Sequence, residues 1–146
     1  MRIVIDTNIF FSALLDTNSK IGMLLFQPKS RLNFYSSKLL LDEINEHKHK
    51  ILKIANYSES DLNNLVRLLS TKIRFINIEL IPIKILEKAE KLASDVDIDD
   101  TEFVALAEHI NGKLWTGDKK LSKGLLEKGW GKIITTDELF KLSVQK

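Results

Sequence analysis

The chain opens on Ile3-Val4-Ile5, an unbroken β-branched run that ends at Asp6. Such a run suits a strand buried on both faces of a parallel sheet. Apolar residues then recur at helical spacing from Ile9 to Leu15, where a turn over residues 16–19 closes the helix. A second apolar stretch runs from Ile21 to Phe26, and Pro28 stops it. Leu32 to Tyr35 reads as another strand, after which Ser36 or Ser37 caps a helix carrying Leu40, Ile44 and Ile51. Ser60 to Leu69 is a further helix, with Ser60 or Asp61 as its cap. Arg74 to Ile78 alternates as a strand does, and Pro82 precedes a helix bearing Ile83, Leu86, Ala89 and Ala93. Thr101 to His109 is predicted helical, ended by Asn111-Gly112 as a left-handed cap. Leu114 to Thr116 and Lys132 to Thr135 are short strands, each followed by a helix, over Lys120–Leu126 and Asp137–Leu142. Strands and helices alternate throughout, so the expected class is α/β with a mainly parallel sheet.

At 146 residues, the length suits one domain over residues 1–146. A chain of this size hides about 68–70% of its unfolded surface, so it needs no disulfide or metal to fold. The absence of cysteine excludes a disulfide scaffold and every thiolate-ligated zinc, iron–sulfur or haem site. Asp6 interrupts the N-terminal apolar stretch, and no window approaches the ~18 apolar residues of a membrane span. A soluble, cytoplasmic protein with no membrane partner is the expectation. The net charge of +2 conceals an uneven distribution. Residues 79–108 hold three Lys against nine acids, whereas residues 19–53 hold seven basic residues against three acids, and residues 113–146 hold eight Lys against four acids. Solvated helix faces would explain this, and so would an acidic metal centre flanked by surfaces for a polyanion.

Two acids stand in equivalent places. Asp6 follows directly on the first strand, and Asp118 follows a strand after one Gly. In an open parallel sheet ligands bind beyond the carboxyl ends of the strands, so both side chains belong to one sheet edge. Capping of the following helix, by Asp6 or Asn8 and by Asp118, is the structural alternative. On the helix of Leu40, Ile44, His47 and Ile51, a spacing of about 100° per residue turns Glu43 toward the apolar side and Asp42 and Glu46 away from it. An acid on an inward face needs a cation or a partner. Asp95, Asp97, Asp99, Asp100 and Glu102 crowd into eight residues. Asp99 and Glu102 have the spacing of a capping box, yet one cap needs one acid. Crowded carboxylates raise one another's pKa, a cation relieves that, and all-oxygen ligation favours Mg²⁺ or Mn²⁺ over zinc. His47 and His49, two apart, form no zinc motif, and no Walker A loop, dinucleotide fingerprint or G-x-S-x-G is present. Trp115 is expected in the core and Trp130 in a partly exposed turn.

The segments IVIDTNIFFSALL, SSKLLLDEI, DIDDTEFVALA and LWTGDKKL, in this order, resemble the PIN-domain family. The nearest resemblance is to the VapC-like toxin nucleases of type II toxin–antitoxin modules. D-T-N after an apolar strand and T-G-D after a later one carry most of it. The resemblance implies a three-layer α/β/α fold and an acidic quartet of Asp6, Glu43, Asp100 and Asp118 holding Mg²⁺ or Mn²⁺. It places Asp97 as an additional acid and Asn8 and Thr116 as polar partners of the first and last acids. The implied activity is hydrolysis of RNA phosphodiester bonds, leaving a 5′-phosphate and a 3′-hydroxyl. Lys119 and Lys120 beside Asp118, and Lys38, are candidates to hold flanking phosphates, with ordinary surface lysines as the alternative. A small antitoxin protein is the implied partner. The apolar helices at Ile9–Leu15 and Ile21–Phe26 are either core or a surface for that antitoxin or for a second copy in a homodimer. Two other functions stay open: a PIN-like module that binds RNA or protein without cutting it, and a receiver-type signalling domain. Against the receiver, Thr7 and Asn8 stand after Asp6 where it wants another acid.

Overall fold

The computed structural model describes residues 1–27, 31–96 and 100–144. Its five strands, β1 (Arg2–Ile5), β2 (Asn33–Ser37), β3 (Ile73–Ile76), β4 (Lys113–Trp115) and β5 (Ile133–Ile134), form one sheet in the order β3-β2-β1-β4-β5. Every neighbouring pair is parallel. The expected class is therefore met, with the sheet wholly rather than mainly parallel. Each connection between parallel strands must cross over a face of the sheet. Among the described residues, helices α1 (Thr7–Leu15), α2 (Lys20–Phe26), α3 (Leu39–Glu46), α4 (Lys48–Ala55) and α5 (Glu59–Ser70) make the crossovers from β1 to β3. Helices α6 (Ile83–Ala93) and α7 (Thr101–His109) return the chain past β2 and β1 to β4. Helix α8 (Lys119–Glu127) joins β4 to β5, and α9 (Thr136–Val144) packs against α2. α1 packs on α2 to α5 while α6 packs on α7 and α8, so two helical layers enclose the sheet.

The core explains the sequence pattern. Ile3, Val4 and Ile5 lose all contact with solvent, as a strand covered on both faces must. Of the apolar stretches that left two readings open, Ile9, Phe10, Ala13, Leu14, Leu24 and Leu25 are buried, whereas Met23 is exposed. Trp115 is buried as expected, its ring tilted against Phe34 at 6.0 Å between centroids. Trp130 departs from expectation. It is only 5% exposed, because its indole N–H donates to Glu108 Oε2 at 3.0 Å and so draws the ring inward. α7 ends as predicted. Asn111 adopts a left-handed φ of 52°, and the N–H groups of Asn111 and Gly112 close on the carbonyls of Glu108 and Ala107. Gly112 is required there, since a Cβ would lie 2.7 Å from the Arg2 carbonyl oxygen.

Several local expectations need correction. β2 extends to Ser37, so neither Ser36 nor Ser37 is the cap residue; Lys38 holds that position while Ser37 Oγ accepts from the Leu39 N–H at 3.1 Å. The single helix expected through Ile51 is two, α3 and α4, parted at His47, whose backbone (φ −98°, ψ 13°) leaves the helical range. His47 is accordingly exposed instead of sharing the apolar face. α5 is capped by Ser58, whose Oγ accepts from the Asp61 N–H, two residues earlier than expected. Pro28, given as a helix stop, lies outside the described residues. Among the described residues, no single helix is long and apolar enough to cross a membrane.

Candidate active site at the carboxyl edge of the sheet

Strands β1, β2 and β3 step outward in one direction, and β4 and β5 step outward in the other. The order reverses between β1 and β4, and such a switch point opens a crevice beyond the strand ends. Ile5 pairs with Trp115 across that boundary, so the next residues, Asp6 and Thr116, face one another one step further on. On the other side Val4 pairs with Tyr35, which brings Ser37 level with Asp6. Register alone therefore lines Ser37, Asp6 and Thr116 along the carboxyl edge.

Asp6 is 2% exposed. Its Oδ1 accepts the Ile9 N–H at 3.0 Å, so the capping alternative holds at this position. Burial raises the Asp6 carboxyl above its ordinary range, against hydrogen bonds from the Ile9 N–H, the Thr116 hydroxyl and the Asn8 N–H that favour the ionised form. The negative charge of Asp118 adds to the rise. Asp118 also caps a helix, α8, accepting the Leu121 N–H at 3.1 Å. The buried Thr116 hydroxyl joins the two acids: it donates to the Asp6 carboxylate and accepts the Asp118 N–H at 3.1 Å. Asn8, expected to steady Asp6 as a polar partner, does so with its backbone N–H, and its side chain is exposed.

Glu43 is half-buried on α3, whereas Asp42 and Glu46 are exposed. Its Oε1 accepts the Thr7 hydroxyl at 3.1 Å, which ties α3 to the residue beside Asp6. Thr7 stands within the D-T-N motif but has no expected role there; its place after a strand-end acid is the signal that could have marked it. Asp100 is half-buried at the head of α7, with a helical backbone and no side-chain cap bond. That end of α7 sits at the carboxyl edge, because Glu102 Oε2 in its first turn accepts the Ser37 hydroxyl at 3.0 Å. The capping-box alternative involves Asp99, which lies outside the described residues, while Glu102 contacts β2 through Ser37. Asp97 and Asp99 lie outside the described residues. Asp95 belongs to a different contact: it pairs with Lys128, whose Nζ also donates to the carbonyls of Lys91 and Leu92. Among the described residues, Asp95 and Glu102 of the acidic run therefore make separate contacts. Lys38, Lys119 and Lys120 are all exposed, Lys38 just past β2 and the others just past Asp118.

The structure thus brings Asp6 and Asp118 together, anchors Glu43 to Thr7, and sets Asp100 at the same edge. Among the described residues, no three His, Asp or Glu side chains are grouped closely enough to hold a metal ion. The donor set that is grouped, two carboxylates repelling one another with one deeply buried, suits a hard divalent cation such as Mg²⁺ or Mn²⁺. The hydroxyl of Thr101, next to Asp100, is buried without a hydrogen-bond partner at the same end of α7.

The sheet order also separates this chain from receiver-type domains, whose order is 2-1-3-4-5. No curated protein matches the chain. The sequence does match the PIN domain over residues 4–139, a span that includes every strand-end acid described above. The chain therefore belongs to the PIN domain family, a superfamily of nucleases.

Proposed function

We propose that the chain is a metal-dependent endoribonuclease that hydrolyses RNA phosphodiester bonds at the carboxyl edge between β1 and β4. One observation carries the reading: a single buried hydroxyl, Thr116, links two mutually repelling acids at the switch point of the sheet. Asp6, Glu43, Asp100 and Asp118 would hold Mg²⁺ or Mn²⁺, with Asp97 as an additional acid. When bound, a divalent ion supplies Lewis-acid activation of water and offsets charge on the phosphate. The chain does the rest. Thr116 fixes the orientation of Asp6, the Thr7 hydroxyl fixes that of Glu43, and Lys38, Lys119 and Lys120 neutralise phosphates along the strand. The bond broken is phosphorus to O3′, leaving a 5′-phosphate and a 3′-hydroxyl.

The toxin role and its small antitoxin partner belong to this reading through the resemblance of the four motifs. Incubation of single-stranded RNA with the protein and Mg²⁺ or Mn²⁺ is expected to yield fragments. Chelator abolishes the cleavage, and Asp6→Asn lowers it by more than about 100-fold, since even outer-shell partners of a metal site cost about 10–100-fold. Equal cleavage by wild type and variant would overturn the assignment. Expression of the wild type, and not of that variant, is expected to arrest growth. A second reading, a PIN module that binds without cutting, is favoured by the lack of a third grouped acid among the described residues. Titration calorimetry separates the two: heat of Mn²⁺ binding supports the nuclease, and none supports the binding module.

A further inference from the structure

One strand away from Asp6, a cleft of about 190 Å³ opens at the carboxyl ends of β2 and β3. Of its lining, the nuclease reading uses Lys38, as a contact for a flanking phosphate. Its volume falls below the ~300–1,000 Å³ of sites for drug-sized ligands, and leaves room for one small ring. Half-buried Leu39 and Ile78 supply apolar wall. Glu102 and Asp42 supply two carboxylates against one ammonium, Lys38. That net negative lining admits a neutral polar ring, and leaves the Lys38 ammonium to the phosphate beside it. Glu102 is held in place by the Ser37 hydroxyl on Oε2, and no Lys or Arg forms a salt bridge with it among the described residues. Asn77 uses its Oδ1 to accept the Glu79 N–H at 3.0 Å, which leaves its amide N–H groups as donors. Acceptor and donor thus line one slot whose walls are partly apolar.

We propose that this cleft seats one unstacked base of the RNA strand next to the scissile position, and that it prefers cytosine to uracil. The inference rests on the nuclease reading for the identity of the strand. Single-stranded RNA is read by splaying bases into such slots and bonding their edges. The exocyclic amino group of cytosine donates to the Glu102 carboxylate, and its ring nitrogen and carbonyl accept from Asn77. Uracil turns a carbonyl toward the carboxylate in the same pose. The neighbouring strands lie about 4.8 Å apart, so a base here leaves its backbone within reach of the crevice at Asp6.

Fluorescence anisotropy with labelled hexacytidylate and hexauridylate, in chelator, reads the preference without catalysis. The wild type is expected to bind the cytosine strand about tenfold more tightly. Glu102→Gln, which keeps an acceptor for Ser37, is expected to bring the two within about twofold. Asn77→Ala, at an exposed position, is expected to narrow the ratio in the same direction. Equal binding by the wild type, no binding of either strand, or a preference unchanged in both variants would overturn the proposal. Cleavage of mixed-sequence RNA with Mn²⁺ in the same preparations separates the two failures. A preference without cleavage removes the nuclease reading and keeps the base slot, whereas cleavage without a preference does the reverse.

Discussion

Asp6 is an ionisable group held in the interior, and its folded state disfavours ionisation. Burial raises its pKa, so in linkage terms its contribution favours folding below the unfolded value and is lost as pH rises through the raised folded value. Replacing it with Asn keeps the side-chain oxygen that caps α1 and removes the cost that burial and Asp118 place on its ionisation. Asp6→Asn is therefore expected to raise stability in chelator at pH 7 by about 1 kcal/mol, or roughly 2–4 °C for a chain of this size. The gain shrinks on acidification and vanishes below about pH 4, where Asp6 is protonated in both states. Thermal unfolding of both proteins between pH 3 and pH 8 checks this; a variant less stable at every pH would contradict it. Asp6 and Asp118 were legible from sequence because an acid at or one residue past the end of a buried strand falls at the carboxyl edge of a parallel sheet. Thr7 and the Ser37–Glu102 contact were not, since they depend on how α3 and α7 approach the sheet edge.

At the scale of elements, residues that keep their period behave as the sequence implies, and failures cluster where a terminus is decided by one local bond. α7 runs over the predicted residues because its apolar face and its Asn111-Gly112 end agree. α5 begins one residue early, at Glu59, because the Ser58 hydroxyl accepts the Asp61 N–H and caps the helix ahead of Ser60. The break at His47 leaves no compositional trace: the hydrogen bonds His47 N–H to Glu43 and Ile51 N–H to His47 carry the chain from α3 into α4 around one non-helical residue. Trp130 looked like a turn residue because the acid that captures its indole, Glu108, lies 22 positions away. The α1–α2 corner gives a test at this scale. Gly22 lies in the first turn of α2, where a Cβ would sit 2.4 Å from the Thr17 carbonyl oxygen. Alanine normally gains about 1 kcal/mol over glycine in a helix. Here the backbone clash wins, and Gly22→Ala is expected to cost about 1–3 kcal/mol in urea unfolding. An unchanged or raised midpoint would mean that the corner relaxes.

Over the whole molecule, α7 runs from the carboxyl edge of the sheet, where Glu102 meets Ser37, to the opposite edge, where Gly112 just past its end lies against Arg2. Its far end carries Glu108, which pairs with Lys88 of α6 at 2.7 Å and Lys132 at 3.2 Å and accepts the Trp130 indole N–H. The hydrogen bond from Lys88, then those from Trp130 and Lys132, hold its carboxyl down to about 2. A depressed pKa contributes stability that is present above the unfolded value, near 4.3, and is lost as pH falls through about 2. Glu108→Gln is thus expected to lower the melting temperature at pH 7 by about 2–4 °C, solvent screening keeping the effect modest. The variant should also flatten the acid limb between pH 4.5 and pH 2; parallel limbs for both proteins would remove Glu108 from the account. This clamp joins α6, α7 and the approach to β5 without sharing a side chain with the acids at the other edge. The protein can therefore be hardened or softened by substitutions at one end of a single helix while the end that meets Ser37 keeps the same contacts. A library that varies residues around Glu108 and Trp130 would trade melting temperature freely, and variants that survive should differ in lifetime rather than in what they act on.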